Sequence, residues 1–171
     1  SPDGRTIAVM TDRGPDGTDF ETLDFANYRL GLVDVETSET RVLEPFDGAL
    51  HHNPQFSPDG RSLYFISDQD GFKDVYRYAL DDDQVYRITY LKTGVSGITN
   101  TSPAMSVASQ SGRMMFSVFS DSDYTVYALE SDQTQGRPLD APVNPVEGIA
   151  TAGILPPLQA VNEGIVGNYL N

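Results

Sequence analysis

The sequence predicts an all-β fold, part of a β-propeller: about three four-stranded antiparallel blades, the first incomplete, followed by an extended C-terminal linker. Three observations predict it. The phrase Ser-Pro-Asp-Gly-Arg opens the chain at Ser1 and returns at Ser57. Gly4, Gly60 and Gly112, at spacings of 56 and 52 residues, each precede an arginine and then an apolar run, and self-similarity at such a period marks stacked supersecondary units. The run Leu63-Tyr64-Phe65-Ile66 is apolar on both alternating faces, which suits a sheet packed between two neighbours.

The elements follow in order. After each aligned glycine comes a strand-like run: Thr6 to Met10, Ser62 to Ile66, and Met114 to Phe119. A second run follows at Tyr28 to Val35, Asp74 to Leu80 and Tyr124 to Leu129, and a third, more polar one at Thr40 to Leu43 and Gln84 to Tyr90. The first strand of the middle unit is expected at His52 to Phe56, and that of the third unit at Thr101 to Met105. Val85-Tyr86-Arg87-Ile88-Thr89 alternates apolar with polar, as an outer strand partly in water should.

The repeated phrase reads as punctuation between strands. Ser57-Pro58-Asp59-Gly60 places proline where a type I turn needs φ of about −65° and glycine at the last position. Asp68, Asp70 and Gly71, then Asp81 to Asp83, supply the next two turns. Units buried within and wetter outside are propeller blades, expected at about 1–48, 49–95 and 96–136. Thr11 to Asn27, a Gly/Asp-rich insertion carrying Phe20, Leu23 and Phe25, is expected as a surface loop. From 137 to 171 a Pro/Gly-rich stretch reads as the linker. Because closed propellers have about four to eight blades, the chain is expected to be a piece of a larger ring with exposed blade faces and sheet edges.

Composition narrows the function classes. With 25 acidic against 11 basic side chains and a formal charge of −14, the net field repels phosphate backbones and anionic headgroups. The absence of cysteine removes disulfides, thiolate metal sites and a cysteine nucleophile. No apolar run approaches the roughly 18 residues that span a bilayer, so no direct membrane insertion by this segment is expected.

The stretch NPQFSPDGRSLYFISDQDGFKDVYRYAL, Asn53 to Leu80, closely resembles the PD40 repeat. That repeat is the WD40-like blade of the periplasmic translocation protein TolB and of the propellers in prolyl-oligopeptidase-type peptidases. The longer pattern RLGLVDVET, NPQFSPDGRSLYFISD and TGVSGITNTSPAMSVAS is similar to one subset: large bacterial envelope proteins in which a TolB-like propeller precedes an outer-membrane barrel of the surface-antigen type. The resemblance covers roughly residues 1 to 130. It departs at Ser109-Gln110-Ser111-Gly112, which replaces the proline turn. It implies a non-catalytic scaffold or protein-binding segment in the periplasm or at the outer membrane. Its neighbours would be the remaining blades of a longer chain and a protein or peptide partner. The alternative it implies is the gating propeller of a serine peptidase whose hydrolase domain lies elsewhere.

Candidate sites are few, and no cofactor or metal is assigned. His51 and His52 are the only histidines, and neighbours on a strand point to opposite faces, so they cannot jointly hold one ion. With Asn53, and with Asn100, Thr101 and Ser102 in the next unit, they precede innermost strands, which makes these six residues the candidate binding group at the channel mouth. Asp68, Asp70 and Asp74 lack the later bidentate glutamate of a calcium loop and read as turn caps. Gly94-Val95-Ser96-Gly97 falls one residue short of a nucleophile elbow. Tyr76, Tyr78, Tyr86 and Tyr90 recur at strand positions and read as blade packing.

Overall fold

The computed structural model describes residues 1–13 and 16–139, which are all-β apart from one 3-10 turn at Ser131–Thr134. Three antiparallel sheets follow one another along the chain. Blade I comprises β1 (Thr6–Thr11), β2 (Arg29–Asp34) and β3 (Thr40–Leu43). Blade II comprises β4 (His51–Phe56), β5 (Ser62–Ser67), β6 (Asp74–Ala79) and β7 (Val85–Arg87). Blade III comprises β8 (Met105–Val107), β9 (Met114–Ser120) and β10 (Asp123–Leu129). A last strand, β11 (Arg137–Pro138), leaves blade III and pairs with β7, so the middle sheet has the order β11-β7-β6-β5-β4.

The repeated phrase forms the same turn twice. Ser57 Oγ donates to Asp59 Oδ1 at 2.5 Å and accepts from Ser62 N at 3.0 Å, while Gly60 N donates to Ser57 O at 2.9 Å. Ser1, Asp3, Gly4 and Thr6 repeat every one of these contacts at 2.5, 2.8 and 3.1 Å. Both glycines sit at φ near +72°, where a Cβ is strained.

The third unit departs in register. Its hairpin closes with Ala108 N donating to Arg113 O, as Ser57 N does to Ser62 O. The loops are therefore equally long, but glycine falls one place later and Gly112 N reaches back to Ala108 O. Without the serine hydroxyl and proline, nothing holds the tighter turn. As a result Met114, and not Met115 as the aligned glycines place it, occupies the position of Leu63: Val107 pairs with Met114 as Phe56 pairs with Leu63. The opening strand of that unit also starts later than Thr101, at Met105, because Thr99 and Ser102 close a side-chain turn through hydroxyls 2.7 Å apart. The outer strand of blade II ends at Arg87 and not Tyr90, because Thr89 turns inward and its hydroxyl donates to Asp74 Oδ1 at 2.5 Å.

Two apolar clusters stack the blades. Leu63, Phe65 and Tyr76 pack against Leu30, Leu43 and Phe46 of blade I. Tyr64, Ile66 and Val75 pack against Met105, Met114, Phe116 and Val118 of blade III. Every residue of β5 is buried, and each large apolar side chain so enclosed contributes about 1.5–3 kcal/mol. The two-sided pattern of β5 is thus the stacking of one sheet between two others. The outer flanks, by contrast, stay in solvent: Ile7 is 53% exposed on blade I, and Met115, Phe119 and Val126 are 47, 44 and 60% exposed on blade III. Phe20, Leu23 and Phe25 stand exposed on the insertion. Of the segment expected as a linker, Arg137–Leu139 lies along β7, with Leu139 N donating to Val85 O at 3.0 Å; residues 140–171 lie outside the described residues.

Candidate functional site

The β3–β4 connection, the β5–β6 turn and the β7–β8 connection emerge on one face, because alternate strand ends of stacked antiparallel sheets share a side. The six residues expected at a channel mouth come from this face, but they do not form one group. His51 is fully buried, its ring stacked 5.8 Å from Phe46 and tilted against Phe65 at 5.6 Å, with Nε2 accepting from Phe46 N at 3.3 Å. His52 is 2% exposed and neither of its ring nitrogens has a hydrogen-bond partner among the described residues. Burial pulls both histidines down to about 4, and the charge of Lys73 adds to the effect at His52. Two neutral, enclosed rings pack the core and offer no surface to a ligand.

Asn53 is buried too, and it joins blades. It sits at φ +53° where the β4–β5 register shifts at a bulge. Its Oδ1 accepts from Ala104 N and Met105 N, each at 2.8 Å. Pro54, which has no N–H to give to the ladder, lies within that bulge.

The aspartates of the β5–β6 turn do not converge on one ligand site: Asp68 binds backbone, and Asp70 and Asp74 share Arg87. Asp68 Oδ1 accepts from Leu50 N at 2.9 Å, and Gly71 N donates to Asp68 O at 2.7 Å. Asp70 pairs with Arg87 at 2.6 Å, and Asp74, fully buried, holds the other arm of Arg87 at 2.5 Å. Asp74 also accepts from Thr89 Oγ1 and Leu91 N. Burial pushes its carboxyl up to about 6 against the pull of Arg87, which leaves it ionised at neutral pH. This is a structural lock between the turn and β7. Among the described residues no three acidic or histidine side chains gather as a metal site, and no helix is long and apolar enough to cross a membrane.

What the face does offer is a cavity of about 360 Å³, lined by Gly71, Phe72 and Lys73 and by crossover residues between Thr93 and Asn100. Asn100 alone of the expected mouth residues reaches it. Lys73 is half-buried, and its Nζ donates to the backbone O and, at 2.6 Å, to the Oδ1 of Asn100. Desolvation holds its pKa below the ordinary lysine value. Ile98, 89% exposed, stands at the rim. No sequence motif marked Lys73, because the residues around it come from two blades.

Stacked antiparallel sheets with their crossovers on one face define a β-propeller module. The solved structures it is similar to make the type specific. Against TolB from Acinetobacter baumannii the TM-score is 0.58 at 18% identity, covering 81% of this chain and 30% of that one. Against a TolB-like protein from Agrobacterium tumefaciens it is 0.55 at 23%, covering 81% and 46%. A puromycin-hydrolyzing peptidase from Mycobacterium tuberculosis gives 0.56 at 17%, covering 83% and 21%. The fold is that of a TolB-like propeller, and this chain spans less than half the length of each of these proteins. No family model and no curated protein matches the sequence.

Proposed function

We propose that the chain is a non-catalytic, protein-binding propeller segment of a bacterial cell-envelope protein, acting in the periplasm or at the outer membrane. The observation that carries the binding role is the cavity where loops of two adjacent blades meet on one face. Loops held on a rigid scaffold are where propellers present ligand contacts. The compartment rests on the PD40 resemblance together with the likeness to TolB structures. The net charge of −14 directs the partner choice toward proteins or peptides and away from nucleic acid. The exposed apolar flanks at Ile7 and at Met115, Phe119 and Val126 would seat further blades, since the two internal interfaces bury the same kinds of side chain.

The likeness to a peptidase supports a second reading, in which the propeller gates a separate hydrolase domain. A strand-to-helix nucleophile elbow elsewhere in a longer chain would favour it. The binding role is tested by placing a photo-crosslinking phenylalanine analogue at Ile98 on the crossover face, or at Asp82 on the opposite one, in the full chain mixed with bacterial envelope extract. Discrete protein adducts from position 98 alone are expected. Equal adducts from both positions, or none, contradict the reading.

A further inference from the structure

We propose that the cavity between the β5–β6 turn and the β7–β8 crossover recognises a carboxylate carried next to an apolar side chain, as at the C-terminal residue of an extended peptide. The inference rests on the docking role above and gives that site a ligand chemistry.

The charge pattern comes first. In a chain of net charge −14, Lys73 is the only ionisable side chain lining this cavity. Its ammonium carries three donors; Asn100 O and Oδ1 take two, and no ion pair to Lys73 exists among the described residues. The third donor is available to an anion, and the nearby carboxylate of Asp68, which acts on the ammonium from beyond ion-pair distance, leaves that donor unoccupied. A single lysine in a strongly acidic protein suits a monoanion. A phosphate group would call for an arginine fork or a cluster of cations, and the lining has neither.

The apolar half of the ligand is set by Phe72 and Ile98, which are 36% and 89% exposed at the same cavity. Leaving Ile98 in water forgoes the burial free energy of a large aliphatic side chain, and a ligand side chain laid against it recovers part of that. Hydroxyls of Thr93, Ser96 and Thr99 complete the wall. A cavity of about 360 Å³ lies at the small end of the roughly 300–1,000 Å³ typical of ligand sites, room for a terminal residue and its carboxylate.

The walls are fixed before anything binds. Lys73 O accepts from Val95 N at 2.6 Å, which ties the turn to the crossover. The crossover is tied to blade III by Ser96 N donating to Ser117 O at 2.8 Å, Ser117 Oγ donating to Ser96 O at 2.7 Å, and Tyr124 OH donating to Gly97 O at 3.2 Å. Gly94 lies so close that a Cβ there would fall 2.9 Å from Lys73 N. Such pre-organisation limits the entropy lost on binding.

The test titrates the isotope-labelled full chain with N-acetyl-leucine, its C-terminal amide, and hexanoate, followed by backbone amide shifts. N-acetyl-leucine is expected to move the amides of Lys73, Ser96 and Ile98. The uncharged amide should bind about tenfold more weakly or worse, the loss of one charge-assisted hydrogen bond. Lys73→Gln should impose the same loss on N-acetyl-leucine with the remaining spectrum unchanged. Hexanoate should bind more weakly, which assigns the site to a peptide end; equal binding of hexanoate overturns the peptide assignment. Unmoved amides, or equal binding of acid and amide, overturn the carboxylate site in the wild-type chain without reliance on any variant. The docking role fails separately: if position 98 crosslinks a partner while the wild-type chain binds no acid, docking stands and the carboxylate site falls.

Discussion

The carboxamide oxygen of Asn53 in blade II lies 2.8 Å from the backbone nitrogen of Met105 in blade III, and the N–H of Ala104 donates to the same oxygen at the same distance. One side chain thus caps the entry of the next blade's innermost strand. Truncation leaves two buried N–H groups unmet, each costing about 1–3 kcal/mol. Asn53→Ala should lower unfolding free energy by about 2–4 kcal/mol in urea titrations. Asn53→Asp keeps the acceptor and tolerates the positive φ of +53°, so it should cost less. Equal stability of the alanine variant and the wild type would remove the inter-blade role.

Arg87 is gripped by Asp70 and Asp74 together. Removing Asp74, which is fully buried, leaves one arm of the guanidinium unpaired and the Thr89 hydroxyl and the Leu91 N–H without their acceptor. Asp74→Ala should cost about 3–5 kcal/mol. Asp74→Asn retains an acceptor and should lie between that variant and the wild type in thermal or urea unfolding.

His51 and His52 fall from 6.5 to about 4 on folding, through burial. Below 6.5 the unfolded chain binds the protons that the folded rings refuse, so their stability contribution is present above pH 6.5 and is lost as pH falls toward 4, about 3 kcal/mol for each ring at most. Asp74 works the other way: its folded pKa, about 6 against 3.8, favours the folded chain as pH drops through that window. Two groups against one leave a net loss of stability on acidification below 6.5. Urea titrations through this range should show it, and replacing both histidines by glutamine should flatten or reverse the slope. An unchanged slope in that variant would show that the histidines are not its source.

Gly136 carries the chain from blade III onto blade II at φ +73°, and a Cβ there would meet Arg87 O at 2.8 Å. Gly136→Ala should loosen β11, at about 1–3 kcal/mol. Faster hydrogen exchange at the Leu139 amide, which donates to Val85 O, is the expected readout. Unaltered exchange would mean that the strand holds without this close approach.

The sequence displayed the blades because they depend on local chemistry. Ser-Pro-Asp-Gly-Arg builds its turn from its own side chains, and the two-sided run at β5 states directly that it packs between neighbours. Where those side chains are missing, at Ser109 to Gly112, the register was misread by one residue. The return of β11 to blade II could not be read, since a two-residue strand has no period. The candidate site was legible only in part. Asn100 was singled out and does reach the cavity. The histidines were placed at a mouth because strand order alone does not reveal that Phe46 and Phe65 close over His51. Lys73 was missed because its meaning depends on Asn100, far along the chain and in the next crossover.

β5 faces two different blades, which places the crossover loops of blades II and III on one face around the cavity. Methyl contacts in solution test it most directly. The full chain should show nuclear Overhauser effects from Leu63 to Leu30 and Leu43 of blade I, and from Ile66 to Met114 and Val118 of blade III. Contacts from Leu63 and Ile66 to the same blade, or an Ile66 methyl exposed to water, would contradict it.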